Sequence, residues 1–203
     1  KDVKIIIFGC NTATAVAMST IRKEIPLQII GVVQSGALAA ARTTETKNVA
    51  VIGTKATVDS HSYLKEIQYR DPEIKVSEFA QPKLAPLAEE DPDEDIKNAV
   101  VSESLTPLKN ADYDTLVLGC THYPLLRDEI VAVVGQDKKI VDPADQVAQY
   151  TYNVLRRDDL FAESTAPVKH DYYTTGEAKK FTEITRQWMN DDTIIGHHVD
   201  AED

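Results

Sequence analysis

Two cysteines are the residues in this chain best placed to do chemistry. They occur in two segments built to one plan, "IIIFGCNTATAVAMSTIRKEIP" at residues 5–26 and "TLVLGCTHYPLLRDEIVAVVG" at residues 115–135. In each, an apolar run reads as a strand, a Gly-Cys pair ends it, two hydrogen-bonding residues follow, and a segment of helical period comes next. Ala13, Ala17 and Ile21 recur at four-residue spacing in the first, and Pro26 stops that helix. In the second, Pro124 suits a first helical turn, Leu126, Ile130, Val133 and Val134 form one apolar face, and Gly135 closes it. Both helices are therefore expected to begin directly after their cysteine. A thiol there meets unpaired N–H groups at the positive end of a helix, which favours thiolate and lowers the free-cysteine pKa of about 8.5 toward neutrality.

The same helix ends attract carboxylates, and Asn11, Thr12, Thr121 and His122 add side-chain donors beside them. Two such units facing each other hold a small carboxylate-bearing molecule between two thiols. One thiolate then removes a proton from one face of a carbon while the opposite thiol returns one to the other face. That is the chemistry of a two-base racemase. Taken alone, either cysteine is equally well read as a small buried packing residue.

The elements that must position these groups alternate. Lys4–Phe8, Gln28–Val33, Val49–Ile52, Ile74–Phe79, Thr115–Leu118, Lys139–Val141, Val168–Tyr173 and Thr193–Ile195 read as strands, with helical segments between most of them. This alternation implies right-handed crossovers and parallel sheets, hence an α/β protein, in which ligands collect where strands end and helices begin. Residues 81–95 interrupt the rhythm with three prolines and six acids and read as a solvated loop or a joint. Phe181 and Trp188 stand at helical spacing and read as core, His61, His170, His197 and His198 as surface or packing residues, and the terminal "DAED" as frayed.

Composition narrows the function classes. The chain has 203 residues, 42% hydrophobic and 27% charged, which suits one large or two small packed domains. A net charge of -11 argues against nucleic acid, whose phosphates need concentrated Lys and Arg. No apolar stretch is long enough to span a bilayer and no signal-peptide series opens the chain, so membrane association is not expected and a cytoplasmic location is. There is no GxGxxG and no GxxxxGK[ST], and no bound cofactor is expected. No metal is expected either, because Cys10, Cys120 and His122 fall short of the four ligands of a structural zinc site. A thiol-redox role lacks the Cys-X-X-Cys pair.

The ordered set "CNTATA", "GVVQSGALAAA", "VAVIGTKATVDSHSY", "PLAEE", "LVLGCTHYPLL", "VDPADQVA" and "DYYTTGEAKKF" resembles glutamate racemase, the cofactor-independent bacterial enzyme that makes D-glutamate for peptidoglycan. The resemblance runs along essentially the whole chain. It implies two similar flavodoxin-like α/β domains with the active site in the cleft between them: residues 1–34 plus 142–203 as the first, 35–141 as the second. It further implies Cys10 and Cys120 as the catalytic bases, Cys10 acting on D-glutamate and Cys120 on L-glutamate. His122 assists Cys120, and Asn11, Thr12, Thr121 and His122 contact substrate, with Thr57 as a further carboxylate contact. The implied partner is a small molecule, glutamate, and a homodimer is compatible with the sequence without being decided by it. The chain departs from the family in having no Asp-Ser-Gly segment and no Tyr-Gly pair upstream of its first cysteine motif, and in having Gly9 where alanine is usual. These departures suggest an N-terminally truncated racemase with weak or no activity by itself. An aspartate- or hydantoin-type racemase, a maleate-type isomerase and a non-catalytic binding fragment are the alternatives.

Overall fold

The computed structural model of the chain describes residues 3–163, 165 and 167–200; of the terminal "DAED", residues 201–203 lie outside that range. Two units divide it, Lys1–Phe161 and Ala162–Asp203.

In the first unit the chain forms β1 (Ile5–Phe8), α1 (Asn11–Glu24), β2 (Gln28–Gly31), α2 (Val32–Thr43), β3 (Asn48–Gly53), α3 (Lys55–Ser60), α4 (Ser62–Arg70), β4 (Lys75–Ala80), α5 (Leu84–Glu90), α6 (Glu94–Ser104), β5 (Thr115–Gly119), α7 (Arg127–Val134), β6 (Lys139–Val141) and α8 (Pro143–Arg157). β1 pairs with β2, and a four-stranded sheet runs in the order β4-β3-β5-β6. The second unit contains β7 (Tyr172–Thr174), α9 (Ala178–Met189) and β8 (Gly196–His198), with β7 paired to β8. Every strand pairing among the described residues is parallel, as the strand-helix alternation requires.

The four-stranded sheet is buried on both faces, which is why its central strands read as unbroken apolar runs. Ala50, Ile52, Leu116 and Leu118 face a core with Leu84, Val101, Leu105, Tyr123 and Ile130, while Val49, Val51, Val117 and Val141 face one with Val33, Ala37, Tyr63, Ile67 and Ile74. Alternate residues of one strand thus serve two cores.

Several expected elements are corrected. The strand read as Gln28–Val33 stops at Gly31, because Val32 and Val33 open α2 and are buried there; tertiary packing overrides their strand preference. The seventh and eighth strands lie toward the C-terminal side of their expected positions, at Tyr172–Thr174 and Gly196–His198. Residues 81–95 are not a loop: they hold α5 and the first turn of α6, with Leu84, Leu87 and Ala88 buried and Pro86 in the first turn of α5, where its missing N–H costs nothing. In α9, Phe181 lies close against Gly196, whereas Trp188 stays exposed.

Asp114 anchors the amino end of the sheet. Its carboxylate accepts hydrogen bonds from Thr44 Oγ1 (2.7 Å), the Glu45 and Thr46 amides (2.7 and 2.8 Å) and Thr115 Oγ1 (2.8 Å). Burial alone would raise its pKa, but these four donors outweigh it and hold the carboxyl well below the ordinary range. A depressed carboxylate stabilises the fold above its unfolded value of about 3.9 and loses that contribution as pH falls through the folded value. Asp114 is partly exposed, so solvent screening reduces what these bonds are worth; Asp114→Ala should cost about 1–2 kcal/mol at neutral pH, and the gap between the two proteins' urea midpoints should narrow on acidification below about pH 4.

Candidate functional site

In the sheet order β4-β3-β5-β6 the chain leaves β3 toward β4 on one flank and returns to β5 on the other. The crevice beyond the carboxyl ends of β3 and β5 is the topological switch point, where α/β sheets receive ligands. Gly53 and Gly119 are partners in register at those two ends, and the next residues are Thr54 and Cys120. A Cβ on Gly119 would fall 2.7 Å from the carbonyl oxygen of Ile52, so the neighbouring strands approach too closely for a side chain there.

Cys10 follows β1 and is the N-cap of α1, its Sγ accepting the Ala13 amide at 3.5 Å. The first cysteine thus sits at a helix start as its sequence requires. The second does not. After Cys120 the chain turns through Thr121 and His122 into a 3₁₀ turn over Tyr123–Leu126, and α7 begins only at Arg127. Tyr123 is fully buried and donates its hydroxyl hydrogen to the Gln81 carbonyl at 2.8 Å, and Leu126 is buried beside it; anchoring these residues in the core tightens the segment. The expected lowering of the Cys120 pKa fails with it. Burial pushes this thiol up, the His122 and Tyr123 amides only partly offset that, and charge on Cys10 raises it further. The two cysteine segments meet through Thr54: it follows Gly53, the register partner of Gly119, and its hydroxyl lies 2.8 Å from that of Thr12, two residues past Cys10.

Polar groups ring them. Asn11 is buried and its Oδ1 accepts from the Tyr63 hydroxyl at 2.6 Å. Thr12 Oγ1 lies 2.8 Å from Thr54 Oγ1 and 3.3 Å from Thr57 Oγ1, with 3.0 Å between the latter two, so three hydroxyls close a triangle joining the starts of α1 and α3. Thr57 is buried and Thr121 exposed. His122 spans from Cys120 Sγ, 3.6 Å from its Nδ1, to Glu89 Oε1, 3.0 Å from its Nε2. With Nε2–H donating to Glu89, the Nδ1 lone pair faces the thiol and can take its proton.

Thr54, Tyr63 and Glu89 escaped the sequence reading as site residues. Thr54 shares "GTKAT" with Thr57, Tyr63 closes "VDSHSY", and Glu89 lies in "PLAEE". Glu89 was hidden because its segment looked like solvated loop.

Comparison with known proteins finds relatives along the whole chain. Residues 1–151 match the Asp/Glu/Hydantoin racemase family. A glutamate racemase from Lactobacillus johnsonii is 98% identical over 203 residues, covering 100% of this chain and 76% of that protein. Among solved structures, a glutamate racemase isoform from Bacillus anthracis superposes with a TM-score of 0.92 at 34% identity, over 98% of this chain and 74% of that one. A Francisella tularensis glutamate racemase in complex with D-glutamate gives 0.89 at 26% identity, over 98% and 74%. The scaffold of parallel α/β units matches that of these solved structures, and the chain belongs to the Asp/Glu/Hydantoin racemase family.

Proposed function

We propose that this chain interconverts L- and D-glutamate without a cofactor, with Cys10 and Cys120 as the two acid-base groups, in the cytoplasm of a bacterium that needs D-glutamate for its wall. The observation that carries the reading is the pair of thiols at the ends of β1 and β5, whose flanking segments are joined by the 2.8 Å contact between the Thr12 and Thr54 hydroxyls. One thiolate takes the α-proton, leaving the electron pair delocalised into the substrate carboxylate, and the opposite thiol gives a proton to the other face. Asn11, Thr12, Thr57, Thr121 and His122 hold the substrate, and Glu89 orients His122 against Cys120. The domain division implied by the family resemblance, residues 1–34 plus 142–203 and residues 35–141, is part of the same proposal, and so is a homodimer.

Proton NMR in deuterated water tests it: the α-hydrogen signal of L-glutamate, and separately of D-glutamate, should disappear with time. The 203 residues carry neither the Asp-Ser-Gly nor the Tyr-Gly motif, so slow exchange is the expectation. An unchanged signal from both enantiomers, in a folded sample that also fails to bind glutamate, would reject the reading.

The direction of the Cys120 shift gives a pH signature. With Cys120 as the base for L-glutamate, its raised pKa means that exchange from L-glutamate should climb with pH to an inflection above the usual thiol value of about 8.5. Exchange from D-glutamate needs the same group as a thiol and should fall over that interval. His122→Gln should slow the L-glutamate direction by about 10²-fold, the lower end of what a lost proton-transfer partner costs, and Glu89→Gln should act in the same direction more weakly.

A further inference from the structure

Tyr63 belongs to no motif with an obvious chemical role, yet it reaches both halves of the site. It comes from α4, is fully buried, and its hydroxyl donates to Asn11 Oδ1 at 2.6 Å, one residue from Cys10. Its ring lies under Gly119, one residue from Cys120: a Cβ on Gly119 would fall 3.2 Å from Tyr63 Cε2. At Gly36 a Cβ would fall 3.0 Å from the Tyr63 hydroxyl and 2.9 Å from Pro143 Cγ, so the phenol occupies a slot that two glycines leave open.

The hydrogen bond has a direction with chemical content. A phenol buried here, beside Asp142 and Cys120, stays protonated, since burial and both negative charges oppose its ionisation. It therefore holds the oxygen end of the Asn11 amide. The Asn11 Nδ2 group, with two N–H donors, then has no hydrogen-bond partner among the described residues. The reversed amide would leave Oδ1 facing the site, where it would repel a carboxylate. Burying both an unpaired phenol and a misdirected amide is costly, so the two groups fix each other.

We infer that Tyr63 is a positioning residue: it selects the donor-outward orientation of the Asn11 amide for a substrate carboxylate and, through its packing on Gly119, ties that orientation to the Cys120 strand end. The inference rests on the proposed glutamate chemistry. It deepens that reading by assigning affinity for the carboxylate to a residue that never touches it.

The test compares wild type, Tyr63→Phe, Asn11→Ala and the double variant of this same chain. Three quantities are read: the melting temperature, KM and kcat for α-hydrogen exchange from D-glutamate, and the Asn11 side-chain amide signals in 1H–15N spectra without ligand. Tyr63→Phe should stay folded, raise KM about tenfold, change kcat less than about threefold, and shift the Asn11 amide signals; those folds correspond to losing a hydrogen bond to a charged group while leaving both thiols in place. In the double variant KM should be no higher than in Asn11→Ala, because the two changes remove one function. Unchanged KM, an additive double variant, or a fall in kcat that tracks the melting temperature would overturn the assignment. A wild type that neither binds nor exchanges glutamate rejects the proposed reaction instead. In that case the amide spectra decide the positioning claim: signals unmoved by Tyr63→Phe refute it, and shifted signals uphold the orientation of Asn11.

Discussion

Cys10→Ser and Cys120→Ser should each reduce α-hydrogen exchange from glutamate by about 10²–10⁴-fold, the range that positioned acid-base groups contribute. A serine hydroxyl is far too weakly acidic to be a base at neutral pH, yet it matches the thiol in shape, so the fold should persist. The losses should not be alike. Cys10 is exposed and caps α1 through its Sγ, and serine is a better cap than cysteine, so Cys10→Ser should keep or slightly raise stability while activity falls. Cys120 is buried, and placing a hydroxyl there costs about 1 kcal/mol or more unless it finds a partner; His122 Nδ1, 3.6 Å from the sulfur, is the candidate. Each variant should also retain partial chemistry. With one thiol left as a base, the α-hydrogen of the enantiomer that thiol serves should still be lost more readily than that of the other. Equal residual rates from both enantiomers in both variants would contradict the assignment of Cys10 to D-glutamate and Cys120 to L-glutamate.

Gly119→Ala is expected to be the most damaging single-methyl change near the site. The added Cβ would meet the Ile52 carbonyl oxygen at 2.7 Å, and that oxygen is backbone inside a paired parallel strand. One of the two strand ends must move. Overpacking of this kind costs about 1–3 kcal/mol. Because Cys120 is the next residue, a displacement of about 1 Å should also lower exchange by about 10²-fold. Gly9→Ala is the internal control: it precedes Cys10 in the same Gly-Cys pair, but a Cβ there meets nothing within 4 Å. It should leave the denaturation midpoint within about 0.5 kcal/mol of wild type and exchange unchanged. Parallel damage at both glycines would mean that the two strand ends are constrained alike, contrary to the structure.

This contrast between Gly9 and Gly119 marks the boundary between what sequence and structure each decide. The repeated strand-Gly-Cys pattern is local, and so are its consequences: the strand, the sharp exit, and for Cys10 the helix that starts at once. The parallel sheet was legible for the same reason, since apolar runs such as Val49–Ile52 and Thr115–Leu118 announce strands covered on both faces. Cys10, Cys120, Asn11, Thr12, Thr121 and His122 could be named because their residue types carry their chemistry with them, whereas Thr57 was named only by resemblance to the family.

Contacts between distant segments were not legible. Only packing decided that Tyr123 would dive into the core and tighten the turn after Cys120, turning an expected helix cap into a buried thiol of raised pKa. Nor does any local rule say that acid-rich residues 81–95 fold into α5 and bring Glu89 to His122, or that Tyr63 reaches Asn11 across 52 positions. The physical reason is the range of the forces involved. Periodicity, capping and turn chemistry act over a few residues and are written in sequence order, whereas burial and side-chain hydrogen bonds depend on which strands lie side by side, and the order β4-β3-β5-β6 exists only in the folded chain.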